Sequence, residues 1–194
     1  MKKGLTNRQK QAIKTRNKIY NTSITLMEKH GFDNITIEDI CTKAGVSVGS
    51  FYHYFKSKND IFFEIYKRGD EYFEEVVSEN LNEDHAIDQI ILYFRYYAKY
   101  NLLSGLDTVK QLYNSNNKQF IAKGRYMQNL LQDIVEEGQK KSEITNDYTA
   151  EYIVEFLFIA TRGLVYDWCL HEGEYDLEER MVSFAKNLLV IFSK

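Results

Sequence analysis

Apolar residues recur at three- and four-residue steps along most of the chain, the spacing of one face of an α-helix. No stretch sustains the period-two alternation of a strand. The first stripe, Ile19, Ser23, Leu26 and Met27, ends at Gly31, a helix stop, with Phe32 placed to fold back on it. A basic polar lead over 1–18 merges into this helix near Asn7 or Arg8. Thr36, three residues before Asp39, caps a second, short helix whose inner face is Ile37, Ile40, Cys41 and Ala44. Gly45 permits the positive φ of a tight turn, Val46 plugs the angle, and Ser47 caps a third helix over 48–54, too short to stand without packing. Two short helices joined by a glycine turn are how a helix-turn-helix, with its second helix offered to DNA, is written.

From Ser57 the pattern lengthens. Ser57 with Asp60 starts a fourth helix through Ile61, Phe62, Ile65, Tyr66, Tyr72, Phe73 and Val76, ending near Asn80. Further helices are expected at about 84–101, 104–114, 116–141, 147–172 and 176–193, separated by clusters of Asn, Ser, Gly and Asp. The fold class is therefore all-α, with about nine helices: a three-helix helix-turn-helix domain over 8–56 and a helical body over 57–194. In 147–172 the set Ile153, Phe156, Leu157, Ala160, Leu164 and Trp168 forms a stripe, and in 176–193 so does Leu177, Met181, Phe184, Leu188 and Ile191. Either these stripes pair with their copies across a two-fold axis, making a homodimer through the last two helices, or both are spent inside one chain.

Charge sharpens the division. The net charge of −3 hides a first segment, 1–58, with eleven Lys or Arg against four acids, or +7, which leaves −10 for the remainder. A basic third on an acidic body suits a protein that turns one face to a polyanion, against the alternative of a solvated lysine-rich arm. Cys41 and Cys169 sit in apolar helical patterns and read as buried thiols of a reducing compartment. His30, His53, His85 and His171 are scattered, so no metal and no cofactor is expected. The start lacks a secretory pattern and no apolar run is long enough to span a bilayer, so the expectation is a cytoplasmic protein. No Ser/His/Asp set or phosphate-cradling glycine loop is visible, which disfavours an enzyme.

The run from Thr36 to Ile61 resembles the signature of the tetracycline-repressor (TetR) family of transcriptional regulators. The matching positions are Thr36, Ile40, Ala44, Gly45, Val46, Ser47, Gly49, Phe51, Tyr52, Tyr54, Phe55, Lys58 and Ile61, within a resemblance covering about 8–69. Thr22 and Ser23 replace the family's usual alanines, and Cys41 takes a common alanine site; all remain small.

A recognition helix needs short side chains at its amino end to bring its backbone near base edges, and Val48, Gly49 and Ser50 meet that need. The resemblance implies that Val48 touches a thymine methyl, Ser50 bonds a base edge and His53 helps read sequence or phosphate. It further implies phosphate contacts from Thr36, Ser47, Tyr52, Tyr54 and Lys58, on a double-stranded DNA operator. Thr36 and Ser47 are helix caps in either case. Lys58 is expected to open the fourth helix, where the amide dipole adds to its own charge. Segment 93–126 is dense in aromatics, so Tyr93, Tyr97, Tyr100, Phe120 and Tyr126, together with Trp168, are candidates to line a cavity for a small apolar or aromatic effector. Ordinary core packing explains the same residues as well. Arg95, Arg125 and Arg162 face either an anionic ligand or a neighbouring acid. The expected function is a ligand-responsive repressor acting as a homodimer on a palindrome; the alternative is a TetR-like regulator governed by a protein partner, or an activator.

Overall fold

The computed structural model describes residues 6–113 and 119–194. Residues 1–5 of the basic lead, together with 114 and 116–118 of two expected helices, lie outside the described residues. Helix α1 (Asn7–His30) opens on a capping box: the Thr6 hydroxyl accepts the Gln9 amide at 3.3 Å while Gln9 Oε1 takes the Thr6 amide at 2.8 Å. Helices α2 (Ile37–Ala44) and α3 (Val48–Tyr54) follow, then α4 (Asp60–Tyr72). The expected helix to Asn80 is interrupted: a π-helical turn occupies Phe73–Val77 before the short α5 (Ser78–Asn80). Beyond it come α6 (Ala86–Ser104), α7 (Leu106–Leu112), a 3-10 turn at Gln119–Ile121, α8 (Tyr126–Lys140), α9 (Ala150–Leu170) and α10 (Leu177–Leu189). Among the described residues there is no strand, only one isolated bridge between Ile144 and Ser193.

The single helix expected over 116–141 is therefore shorter. Gly124 adopts φ 79° and Arg125 is extended, so the helix begins at Tyr126.

Two units form, Met1–Ile65 and Tyr66–Lys194, and the division falls inside α4. In the first, Ile19 and Met27 of α1, Phe32 and Ile35 of the loop, Ile40 and Cys41 of α2, Phe51 of α3, Phe55 and Ile61 make one core. In the second, α6 lies among α8, α9 and α10, and its Tyr93, Phe94 and Tyr97 pack against Phe158. Gly138 of α8 permits close approach there, since a Cβ would stand 2.6 Å from that of Ala86 and 2.7 Å from Ile144.

The stripes assigned to dimerisation are corrected by these positions. Ile153, Leu157, Leu164, Trp168, Leu177 and Met181 are buried in the second unit's own core, and Phe156, Phe184 and Leu188 pack against it. Of the two sets only Ile191 is plainly exposed. Helix α9 is apolar on more than one side. Its outer row, Tyr152, Ile159, Gly163, Tyr166 and Leu170, follows helical steps and remains uncovered in the single chain.

The amino end of α6 is capped from a distance: Glu143 Oε2 accepts the Ala86 amide at 2.6 Å, with His85 Nδ1 at 3.3 Å from Oε1. The Ala86 N–H, with a smaller contribution from His85, holds this carboxyl below its ordinary 4.5. A depressed carboxylate stabilises the fold above its unfolded value and loses that contribution as pH falls through the folded one. Thermal melts should therefore show a declining midpoint below about pH 5, and Glu143→Gln should flatten part of that decline.

Candidate functional site

The exposed surface of the first unit centres on α3. At the start of α2 the Thr36 hydroxyl donates to Asp39 Oδ2 at 2.7 Å and accepts the Asp39 amide at 3.1 Å, and Oδ2 also takes the Thr36 amide at 2.8 Å. These bonds from Thr36 depress the Asp39 carboxyl below its ordinary range. Gly45 closes α2 in the left-handed region, φ 58° and ψ 46°. The chain then reverses, with the Val46 amide returning to the Cys41 carbonyl at 3.0 Å. Ser47 Oγ accepts the Ser50 amide at 3.1 Å and lies 3.0 Å from Ser50 Oγ. That cap sets the direction of α3.

Helix α3 is anchored by Phe51, fully buried and 5.6 Å from the Phe55 ring. With 51 inward, Val48, Gly49, Tyr52 and His53 fall on the solvent side, and Ser50 is half-buried beside them. Tyr54 packs at the edge of the core, edge-on to His53 at 4.8 Å. Nothing in the fold requires glycine at 49: its backbone is not left-handed, and a Cβ would meet only Ser47 Oγ, at 3.8 Å.

Lys58 stands just ahead of α4 and does not open it. It precedes α4 in a turn, and its ammonium donates to the carbonyls of Phe32 at 2.6 Å and Ile35 at 2.7 Å, 4.3 Å above the Phe32 ring. Its position ties the α1–α2 loop to the entry of α4. The start of α4 is capped by Asp60, which takes the Lys56 amide at 2.7 Å and the Ser57 hydroxyl at 2.9 Å. The sequence carried no periodic signal for the Lys58 clamp, because its partners are backbone carbonyls more than twenty residues away.

In the second unit the six effector candidates divide: Tyr93, Tyr97 and Phe120 gather around Phe158, Tyr113 and Arg162, whereas Tyr100 and Trp168 stand apart. Tyr93 is buried and its hydroxyl donates to the Met127 carbonyl at 2.7 Å; burial pushes its phenol well above the ordinary value. Tyr97, also buried and also raised by burial, sits edge-on to Phe94 and Phe158. Tyr100 tilts on Tyr72 at 5.5 Å and crowds Gly69. Phe120 meets Tyr66 and Tyr113, and Tyr126 packs at the core margin. Trp168 is buried with its indole N–H on the Tyr175 carbonyl at 3.2 Å, and lines a separate open groove of about 500 Å³ with Arg95, Leu102 and Glu178.

The three arginines divide. Arg95 lies 3.8 Å from Glu178. Arg125 Nε donates to Asp70 at 3.0 Å and its NH2 to the Tyr66 carbonyl at 3.1 Å, while Asp70 also accepts the Met127 amide. Arg162 donates to the carbonyls of Phe158 and Phe120, and among the described residues no carboxylate pairs with it. The Asp70–Arg125 clamp was not legible, since it joins two elements 55 positions apart. Both thiols are buried and free; burial raises Cys41 above its ordinary range and Cys169 to about 11, so neither is a ready nucleophile.

Comparison with known proteins supplies the family. The model described as "Bacterial regulatory proteins, tetR family" matches residues 19–65, and "YsiA-like protein, C-terminal region" matches 98–191. Together they cover well over half the chain. The probable acrEF/envCD operon repressor of Escherichia coli K12 is 24% identical over 196 residues, covering 94% of this chain and 88% of that protein. The fatty acid metabolism regulator of Bacillus subtilis 168 is 26% identical over 170 residues, covering 82% and 86%. The crystal structure of FadR from Bacillus subtilis in complex with stearoyl-CoA superposes with a TM-score of 0.71 at 20% identity, covering 89% of this chain and 96% of that one. On the two family matches, the first of which spans the helix-turn-helix, the chain belongs to the TetR family of DNA-binding bacterial transcriptional regulators.

Proposed function

We propose that two copies of the chain bind a palindromic operator and repress transcription until a small effector enters the second unit. The observation that carries this reading is the outward face of α3, where Val48, Gly49, Tyr52 and His53 project from a helix anchored by Phe51. Glycine costs up to roughly 1 kcal/mol against alanine inside a helix, and some of that cost falls on the first turn, where Gly49 stands. A fold that has room for a Cβ at 49 retains that cost for a reason outside the fold, and close backbone approach to base edges is such a reason. In this reading Val48, Gly49, Ser50 and His53 face bases. Thr36, Ser47, Tyr52 and Tyr54 hold phosphates, which fix register without carrying sequence. Lys58 acts by positioning α4 against the α1–α2 loop.

The dimer forms through α9 and α10, using the outer row of α9. One short recognition helix gives little affinity alone, whereas two held about 34–36 Å apart read successive major grooves. The effector carries a largely apolar portion, a reading supported by the acyl chain of the stearoyl-CoA in the similar FadR structure and by the aromatic interior around Tyr97, Phe120 and Phe158. Its entry displaces the segment that Arg125 holds to Asp70, and so shifts α4. It needs to prefer the DNA-incompetent state by only a few kcal/mol.

Gel-shift titration with the gene's upstream DNA tests the reading, and binding no tighter than to random duplex at physiological salt would sink it. Gly49→Ala gives a finer check: the variant should melt higher, by about 0.5–1 kcal/mol of stability, yet bind operator more weakly than the parent. Equal or tighter operator binding would remove the argument from position 49.

A further inference from the structure

Three lysines of α1, Lys10, Lys14 and Lys18, recur at four-residue steps and therefore stand in one row. Like charges at that spacing oppose helix formation. Nothing nearby relieves them: α1 contains no acid before Glu28, and among the described residues none of the three pairs with a carboxylate. Arg16, on the opposite side of the helix, is committed, lying 5.6 Å over the Phe55 ring and 2.5 Å from Glu64. The lysine row is thus distinct from the cations that serve the fold.

Its location gives it a use. The Lys18 ammonium lies 3.6 Å from where a Cβ on Gly45 would stand, and Gly45 is the turn that delivers Ser47 and Val48. From there the row runs toward the start of α1 for eight residues, about 12 Å. With exposed Ile13, Asn17 and Asn21 it lines a shallow groove of about 530 Å³. B-DNA carries one charge per ~3.4 Å of axis on each strand, so a 12 Å row of three cations matches a short run of phosphates. Charge complementarity and continuity with the recognition turn select the same occupant.

We infer that Lys10, Lys14 and Lys18 form a phosphate rail that engages the DNA backbone beyond the bases read by α3. The inference rests on the DNA-binding reading of α3 and adds a sequence-independent contact on a different helix. The rail strengthens binding to every duplex alike and makes it more sensitive to salt, without altering which sequence is preferred.

The test uses the full chain and a labelled 30-base-pair duplex of random sequence, about the simplest polyanion that presents B-form phosphates. Anisotropy titrations from roughly 50 to 200 mM salt give the slope of log K against log salt. The triple variant K10Q/K14Q/K18Q should melt no lower than the parent and show a slope shallower by about one unit for each phosphate it no longer neutralises. The triple arginine variant should keep the parent's slope, and Lys141→Gln, which removes an exposed charge from the second unit, should leave it unchanged. A glutamine variant with the parent's slope overturns the rail, as does an arginine variant that behaves like the glutamine one. A parent protein that binds no duplex overturns the DNA reading itself, and the rail with it.

Discussion

Ile159→Glu is expected to leave the chain folded but monomeric, and to weaken operator binding by roughly a hundredfold to ten-thousandfold. Ile159 is 60% exposed in the single chain, and the space above Gly163, one turn along, is open. Removing an isoleucine from such a position takes nothing from the core, and surface changes of this kind shift stability by about 0.5 kcal/mol or less. Across a two-fold axis the same residue is presented by both partners, so one substitution places two carboxylates against a desolvating apolar row. Each recognition helix is then left to bind alone. Sedimentation velocity and a melt of the variant separate the two effects. A variant that remains dimeric with parental operator affinity would remove α9 from the interface.

Lys58→Met is the second large effect. The methionine keeps an apolar stem over Phe32 but deletes the ammonium, stranding the carbonyls of Phe32 and Ile35. Hydrogen bonds from a charged donor contribute about 1.5–3 kcal/mol each, so a loss of about 2–4 kcal/mol is expected for this half-buried pair. Because the turn joins the α1–α2 loop to α4, operator affinity should fall with stability. The salt slope decides between the two roles of the lysine. A clamp leaves the slope as it was, whereas a phosphate contact makes it shallower by about one unit. Unchanged stability with a shallower slope would restore Lys58 to the DNA.

The helix-turn-helix was legible because its signals are local. Thr36 with Asp39, Gly45 and Ser47 each act on backbone within four residues, and the buried face of α2 follows from the helical repeat alone. The long helices were legible as periodic rows, with ends within a few residues. Where an apolar helix has two rows, period does not say which one meets its own chain. That is why α9 was recognised while its outer row, Tyr152 to Leu170, was passed over. The Lys58 clamp and the Asp70–Arg125 pair depend on side chains meeting distant groups, which no spacing encodes. The aromatic segment 93–126 announced a rich interior, but the pairing of Tyr97 with Phe158 and of Phe120 with Tyr66 arises only when α4, α6 and α9 are brought together.

The π-helical turn at Phe73–Val77 has a consequence for how this helix tolerates change in length. Phe73 and Val77 are both fully buried, and Glu74, Glu75 and Val76 between them are exposed. A π turn is a wide loop of helix that carries one residue more than the α turn it replaces. Losing a residue from an ordinary helix swings everything beyond it to a new face. Here the surplus is already present, so losing Glu74 or Glu75 tightens the turn to α geometry while Phe73 and Val77 stay near their places. The turn is thus the place where this helix can give up a residue, a spare link in an otherwise inextensible rod.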